Sequence, residues 1–124
     1  IVVDALASRS LERICTTIQL ADTGITPGSG INNAREAFNR ERFGIPVIAV
    51  GVPTVVDLET LAQDYGGGLV SGEKLEAMCG GQKLIVTPRD IDARVEQMAR
   101  LVSYGINLAL HDGLSIEDIA YFAE

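Results

Sequence analysis

The chain has 124 residues, 47% of them apolar and 22% charged, with a net charge of −7 at pH 7. These totals suit one globular domain with one core. The negative net charge argues against electrostatic binding to nucleic acid or anionic lipid. No apolar run approaches the roughly 20 residues of a membrane span, and two cysteines with one histidine are too few for the usual zinc sites. We therefore expect no metal, no cofactor, and no direct contact with nucleic acid or membrane.

The first third of the sequence predicts two strands and a long loop. IVVDAL is short, apolar and β-branched, which is typical of a buried parallel strand with Asp4 near its end. TTIQLADTG alternates between apolar and polar residues and predicts a half-exposed or edge strand. TGITPGSGINN contains three Gly and one Pro and predicts a long loop.

The next segments predict a helix and a second buried strand. Residues 34–43 suit a short helix that Gly44 ends, since glycine readily takes the left-handed conformation of a helix terminus. IPVIAVGVP is a continuous apolar run, and we expect Gly51 and Pro53 to end it as a strand.

A second helix is predicted over residues 54–65, with Thr54 as its N-cap and Asp57 as the acid of a capping box. The segment 66–81 is rich in glycine around a possible short helix at 73–79. KLIVTP predicts a third short strand.

The last third predicts two helices. Thr87 is the expected N-cap of the first, and apolar residues at helical spacing continue until His111, with an interruption at Gly105. Ser115 and Asp118 have capping-box spacing and predict a short helix over 116–122. The order of elements predicts an α/β fold with a mainly parallel sheet.

Candidate chemistry lies where strands are expected to end, because ligands of open α/β sheets bind beyond the carboxyl ends of strands. Asp4 and Gly51 have such positions. The PGSG loop, with Gly28, Ser29 and Gly30, is expected to fold over the same edge, where its amides would bind a carbonyl or anion.

Asp4 has two open interpretations. It is either a catalytic acid or a residue that only bonds nearby backbone N–H groups. Carboxylate acid–base chemistry usually needs two carboxyl groups whose pKa values are driven apart. Asp22 and Asp57 are the available partners for Asp4. A turn explains Asp22 better than catalysis does, and a helix capping box explains Asp57 better.

Long ordered blocks closely resemble the germination (spore) protease family. They are VVDALASRSLERICTTIQLADTGITPGSG, GIPVIAVGVPTVVD, and LIVTPRDID with MARLVSYGINLALH, covering roughly residues 1–65 and 84–111. The resemblance implies an atypical aspartate-dependent endopeptidase that degrades small acid-soluble spore proteins at germination, in the cytoplasm of the spore core. It also implies a zymogen, a homotetramer, and a three-layer α/β sandwich similar to hydrogenase maturation proteases.

In that family two aspartates form the catalytic pair, and one of them corresponds to Asp4. The other lies in an upstream block without a counterpart here, so we expect residues 1–124 to be the C-terminal portion of a single, N-terminally truncated domain that needs its missing N-terminal half. Two departures stand out. Thr26 occupies a position where family members often have His, and segment 66–81 looks shorter than its family counterpart.

Two other functions stay open. One is a relative of hydrogenase maturation peptidases, which bind a metal of their substrate protein, although the single histidine and Thr26 weigh against it. The other is a non-catalytic fragment that acts as an assembly module.

Overall fold

The computed structural model describes residues 1–29, 35–67 and 69–122, with only the backbone of Phe122. The chain forms two compact units, Ile1–Arg89 and Asp90–Glu124. That residues 1–124 are one portion of a single domain stays a prediction.

The first unit is built on a sheet that has four strands over the described residues. β1 (Val2–Ser8) runs parallel to the central strand β3 (Ala49–Asp57), whereas β2 (Gln19–Ala21) and β4 (Ile85–Val86) run antiparallel to β3. The α/β class is confirmed, but the sheet is mixed rather than mainly parallel. Between β2 and β3 the described residues, 22–29 and 35–48, include one helix, the four-residue α1 (Arg40–Phe43), and no long helix of the kind that usually joins parallel strands.

The central strand β3 does not stop at Gly51 and Pro53 but continues to Asp57. Val2 N–H donates to Ile48 O at 2.9 Å, so by the alternation of a parallel ladder the nitrogen of Pro53 points away from β1. The register with β1 shifts between Leu6 and Ala7, next to this proline. Proline is tolerated here because it removes no hydrogen bond from the β1–β3 ladder.

The helix predicted from Thr54 is shorter than expected, since α2 covers Leu58–Tyr65 and Asp57 is its N-cap residue. The β-branched run TVV keeps the chain extended, and β4 pairs with its end at Val56. α3 (Gly72–Met78) confirms the predicted short helix, and the Ser71 side chain accepts from Lys74 N–H.

Helix α1 is also shorter than predicted. Asn39 caps it by accepting a hydrogen bond from Arg42 N–H at 2.9 Å. Gly44 ends it in the left-handed conformation, with a φ of 69° and a 2.8 Å bond from its N–H to Arg40 O, as predicted. Residues 35–38 are not helical, and residue 34 lies outside the described residues.

A backbone bridge closes the loop that precedes α1. Ile25 and Phe38 exchange two hydrogen bonds, of 3.0 and 2.8 Å. The Arg42 guanidinium lies over the rings of Phe38 and Phe43, 5.7 and 5.5 Å from their centroids, and pairs with Glu36. These contacts hold the two ends of the loop together.

The second unit consists of α4 (Ile91–Leu110) and α5 (Ile116–Phe122). Asp90, not Thr87, is the N-cap residue of α4, because the Thr87 hydroxyl donates instead to Thr54 O at 2.9 Å. The helix continues through Gly105, where an interruption was predicted, and ends at His111 as expected.

Helix α5 begins with the predicted capping box. Asp118 N–H donates to the Ser115 hydroxyl at 3.2 Å, and Ser115 N–H donates back to the Asp118 carboxylate at 2.9 Å. Bonds of this kind satisfy N–H groups that a helix start leaves open.

The core of the first unit surrounds β3. Its buried apolar side chains are Ile14, Val47, Ala49, Val50, Val52 and Val56. Within the part of the chain that the structure describes, no helix has both the length and the apolar character needed to cross a bilayer.

Candidate functional site

Asp4 is the third residue of β1, not a residue at its carboxyl end. The prediction of its position was wrong because DALAS continues the pairing with β3 as far as Ser8 and Val56. The strand ends at Ser8, whose buried hydroxyl donates to Ser10 O at 2.6 Å and accepts from Ser10 N–H at 3.1 Å.

Three residues form a row across the sheet at this point. Asp4 is opposite Gly51 in the parallel pair, and Gln19 is opposite Gly51 in the antiparallel pair. Directly paired residues share one face of a sheet, so Asp4 and Gln19 lie on the same face with only a glycine between them. The sequence analysis did not single out Gln19, although its alternating strand pattern is the signal that could have done so.

Gly51 makes room for a neighbour on β1. A Cβ atom on Gly51 would overlap Leu6 Cδ1 and lie 2.7 Å from Leu6 Cγ. Gly51 is buried, and its backbone lies between β1 and β2. This placement favours a packing role beside Asp4 over an open amide that binds substrate.

The carboxylate of Asp4 bonds its own strand. Asp4 Oδ1 accepts a hydrogen bond from Ala5 N–H at 2.9 Å. The side chain is only half-buried, so it stays accessible from one face of the sheet. Bonding to a backbone N–H, one of the two interpretations of Asp4, is therefore observed, and it is compatible with the other.

The two candidate partner carboxylates lie elsewhere. Asp57 is six residues beyond Gly51 on β3, which is about 20 Å along an extended strand. Asp22 follows β2, whose last residue Ala21 is opposite Ala49, and it is exposed. Neither position is beside Asp4. The predicted capping box of Thr54 and Asp57 does not form, because Thr54 belongs to β3 and Asp57 is itself the N-cap residue of α2, without a capping bond from its side chain.

The PGSG loop reaches the other end of β3. Ser29 lines a cavity of about 260 Å³ together with Asp57, Glu59, Cys79 and Lys83. Among the described residues this lining includes neither Asp4 nor Gly51. The loop thus lies at the carboxyl end of β3, as predicted, but Asp4 does not.

Gly28 and Gly30 are the other two candidate residues of this loop. Gly28 has a φ of 76°, which the turn preceding Ser29 requires and glycine adopts without strain. Gly30 lies outside the described residues.

Neither the shifted pKa values nor the clustering of possible metal ligands identifies a further site among the described residues. The pKa of Asp90 is lowered by its hydrogen bond from Arg94, and the pKa of Asp118 is lowered by its bonds from Ser115. Both are exposed groups at helix starts. Across residues 1–29, 35–67 and 69–122, no three His, Cys, Asp or Glu side chains form a group that could hold a metal ion.

The sequence matches the profile of the family described as germination protease over residues 1–67 and 72–123. The germination protease of Clostridium perfringens strain SM101 is 40% identical over 147 aligned positions, which include 97% of this chain and 45% of the relative. That of Caldanaerobacter subterraneus subsp. tengcongensis is 42% identical, covering 96% of this chain and 45% of its own. That of Bacillus subtilis strain 168 is 33% identical, covering 95% and 47%.

The chain spans slightly less than half the length of these relatives. Since it has 124 residues, at least 23 of the 147 positions aligned with the Clostridium perfringens protein are gaps in this chain. The family match is interrupted at residues 68–71, within the glycine-rich segment 66–81 that the sequence analysis identified as short.

Proposed function

The chain belongs to the germination protease family, and from that premise we propose that it forms part of an aspartate-dependent endopeptidase that acts in spore germination. The observation that carries this proposal is Asp4 of the VVDALAS block, half-buried on the sheet beside Gly51. A carboxylate that is fixed on a strand and still accessible suits acid–base chemistry.

The proposed reaction is the attack of an activated water on a peptide carbonyl. Asp4 shares the general acid and base roles with a second aspartate, which lies in the part of the protein beyond these 124 residues. When two carboxyl groups are close, one holds the proton while the other is ionised, so one accepts a proton from water and the other protonates the leaving amine.

Substrate contacts are proposed for the PGSG loop. The substrates are small acid-soluble spore proteins, and residues Gly28, Ser29 and Gly30 are candidates for binding their extended chains. The Ser29 amide already donates to Thr26 O at 3.3 Å, so the candidate amides of this loop are those of Gly28 and Gly30. The cavity that Ser29 shares with Glu59 and Lys83 supports a docking role at the carboxyl end of β3. Gly51 is proposed to keep Leu6 packed beside Asp4.

The complete protein is proposed to be a zymogen that self-processes, assembles as a homotetramer and works in the cytoplasm of the spore core. Its fold is proposed to be a three-layer sandwich similar to hydrogenase maturation proteases. The present chain supplies the C-terminal portion, and the N-terminal half is its partner. The mixed sheet and the helices of the chain are compatible with that architecture.

A complementation assay tests the proposal. The chain is expressed with the portion of the Clostridium perfringens relative that lies outside the match, and cleavage of a small acid-soluble spore protein is followed by mass spectrometry. We expect Asp4→Asn to lower the cleavage rate by about 10²–10⁴-fold, the contribution of general acid–base catalysis. Asp22→Asn is the control and should leave the rate unchanged.

The chain without that partner should cleave nothing, because the proposed reaction needs one ionised and one protonated carboxyl group at the same time. Full activity of the Asp4→Asn complex would show that Asp4 is not catalytic. Cleavage by the isolated chain would contradict the need for a second aspartate from elsewhere.

A further inference from the structure

We propose that Gln19 is a further catalytic residue of this chain. Its side-chain amide donates a hydrogen bond to the oxygen of the scissile peptide carbonyl while negative charge develops there. The inference rests on the function proposed above, since it assigns a role in the same reaction. It concerns the one charge in that reaction for which the two carboxyl groups provide no partner.

The two carboxyl groups account for the proton transfers but not for the charge on the carbonyl oxygen. As the water oxygen bonds to the carbonyl carbon, its proton passes to the ionised carboxylate and the π electrons of the C=O bond move onto the oxygen. The C–N bond then breaks, the carbonyl re-forms, and the protonated carboxyl group gives its proton to the leaving amine. Between these steps the oxygen is negatively charged, and an N–H donor already held in place stabilises it.

The strand register places Gln19 where such a donor is needed. Asp4 and Gln19 are opposite Gly51 from its two sides, so both side chains lie on the same face of the sheet. Their Cα atoms are two inter-strand spacings apart, which is about 9–10 Å. The gap between carboxylate and amide accommodates a water molecule and a peptide carbonyl, whose reacting atoms need to lie about 3–3.5 Å apart.

The sheet surface between the two polar side chains is apolar. Gly51 contributes no side chain, and Leu6 Cδ1 and Cγ occupy the space that a Cβ atom of Gly51 would take. The neighbouring pair on the same face, Ala49 and Ala21, is apolar as well. A hydrogen bond to a developing charge is stronger where water is excluded, and this apolar floor contributes to that exclusion once substrate covers it.

The side-chain amide of Gln19 is available for this role. Gln19 is exposed, and within the part of the chain that the structure describes its side chain has no hydrogen-bond partner. Asp4 Oδ1 is held by Ala5 N–H at 2.9 Å, which leaves Oδ2 without a partner among the same residues and open to the water. The backbone of Gly51 is not an alternative donor, because it lies in the ladder between two paired strands.

A neutral donor suits a site that works with two carboxyl groups. A lysine or arginine at position 19 would favour the ionised form of both carboxyl groups, and the pair could then no longer share one proton. The glutamine amide offers two N–H donors, carries no charge and does not titrate. It therefore stabilises the charged oxygen without disturbing the protonation of the acids.

Steady-state kinetics of the complex used in the complementation assay test this role. Methionine resembles glutamine in size but has no N–H donor, so Gln19→Met removes the hydrogen bond with little change in volume. We expect kcat for spore-protein cleavage to fall by about 10²–10³-fold, the usual effect of removing one such donor, with KM changed by less than about threefold. Gln97→Met makes the same substitution at an exposed position of α4 and should leave both constants unchanged.

Binding of a transition-state analogue gives a second readout that needs no turnover. The cleaved bond is first mapped with the complete Clostridium perfringens protease. One peptide then carries a phosphinate in place of that amide, whose anionic oxygens imitate the tetrahedral intermediate, and another carries an uncleavable ketomethylene group. By calorimetry, Gln19→Met should weaken binding of the phosphinate peptide by about 10²–10³-fold and of the ketomethylene peptide by less than about threefold. A purely structural effect would weaken both alike.

The two readouts separate the role of Gln19 from the proposed function. Cleavage by the complex with an undiminished kcat in Gln19→Met, or equal weakening of both peptides, would overturn the role of Gln19 and leave the proposed protease intact. A complex that cleaves nothing but binds the phosphinate peptide through Gln19 would refute the enzyme and retain the amide as the donor to a charged oxygen. The absence of both cleavage and phosphinate binding would overturn both proposals.

Discussion

A single missing Cβ atom at Gly51 shapes the surroundings of Asp4. Leu6 fills the space above Gly51, and Leu6 and Asp4 are two positions apart on the same face of β1. Sequence reasoning identified Asp4 and Gly51 separately from their motifs, and it placed both at strand ends. That they are opposite each other inside the sheet depends on the β1–β3 register, which joins residues 47 positions apart and leaves no local signal.

Gly51→Ala is expected to lower the free energy of unfolding by about 1–3 kcal/mol, the usual cost of adding a methyl group to a well-packed site. The new Cβ would overlap Leu6. Urea denaturation monitored by circular dichroism measures the change.

The double variant Gly51→Ala with Leu6→Ala provides the control for that cost. If the overlap causes it, the double variant should be more stable than the sum of the two single changes predicts. Additive effects would show that the cost of Gly51→Ala has another origin.

At the scale of elements, short-range signals in the sequence were the reliable ones. The Gly44 terminus of α1 and the capping box of α5 involve residues within four positions of each other, and both were predicted correctly. The extent of β3 was not, because Gly51 and Pro53 are strand-breaking residues on average. Here the Pro53 nitrogen, which has no N–H to donate, points away from β1. Pairing between β1 and β3 therefore overrides the low strand propensity of these two residues.

The start of α5 should depend on pH. Bonds from Ser115 lower the pKa of Asp118, so folding favours the ionised carboxylate. The stabilisation is complete above the unfolded-state pKa of Asp118 and is lost as the pH falls through its lowered folded-state pKa. We expect the protection of the Ser115 and Asp118 amides, measured relative to the intrinsic exchange rate at each pH, to fall with acidification in that window.

NMR titration of the Asp118 carboxyl carbon checks the direction of the pKa shift. Asp118→Asn removes the titrating group, so its helix start should respond less to acid. An unchanged response in that variant would assign the pH effect to another group.

At the scale of the whole molecule, family membership was predictable from the sequence because its motif blocks are long and ordered. The mixed sheet was not, since the antiparallel pairing of β2 and β4 with β3 joins residues about 30 positions apart in the sequence and leaves no local signal. The direction of the Pro53 nitrogen, away from β1, could not be predicted either. It follows from one hydrogen bond, between Val2 and Ile48, that only coordinates reveal.

The segment between α2 and α3 should accept a long insertion. The family match is interrupted there, at residues 68–71, and the alignment with the Clostridium perfringens relative has at least 23 positions that are gaps in this chain. Adding 20 Gly/Ser residues after Gly67 roughly quadruples the connection. It should reduce the free energy of unfolding by only about 1–1.5 kcal/mol, because each doubling of a loop costs about 0.6 kcal/mol.

The same 20 residues inserted after Ala62, inside α2, are the control and should cost far more, because they interrupt the helix. Urea denaturation of the two variants compares them. Equal losses would mean that the connection between α2 and α3 is not a permissive site.

The bridge between Ile25 and Phe38 gives the PGSG loop a fixed base. Its ends are held by two backbone bonds, and the Arg42 cluster adjoins them, so residues 26–37 can vary in length and composition while β2 and β3 keep their positions. Asp4, on the strand β1, does not belong to this module. If the loop binds substrate as proposed, natural variation or redesign of its sequence can alter recognition without disturbing the carboxylate proposed to do the chemistry.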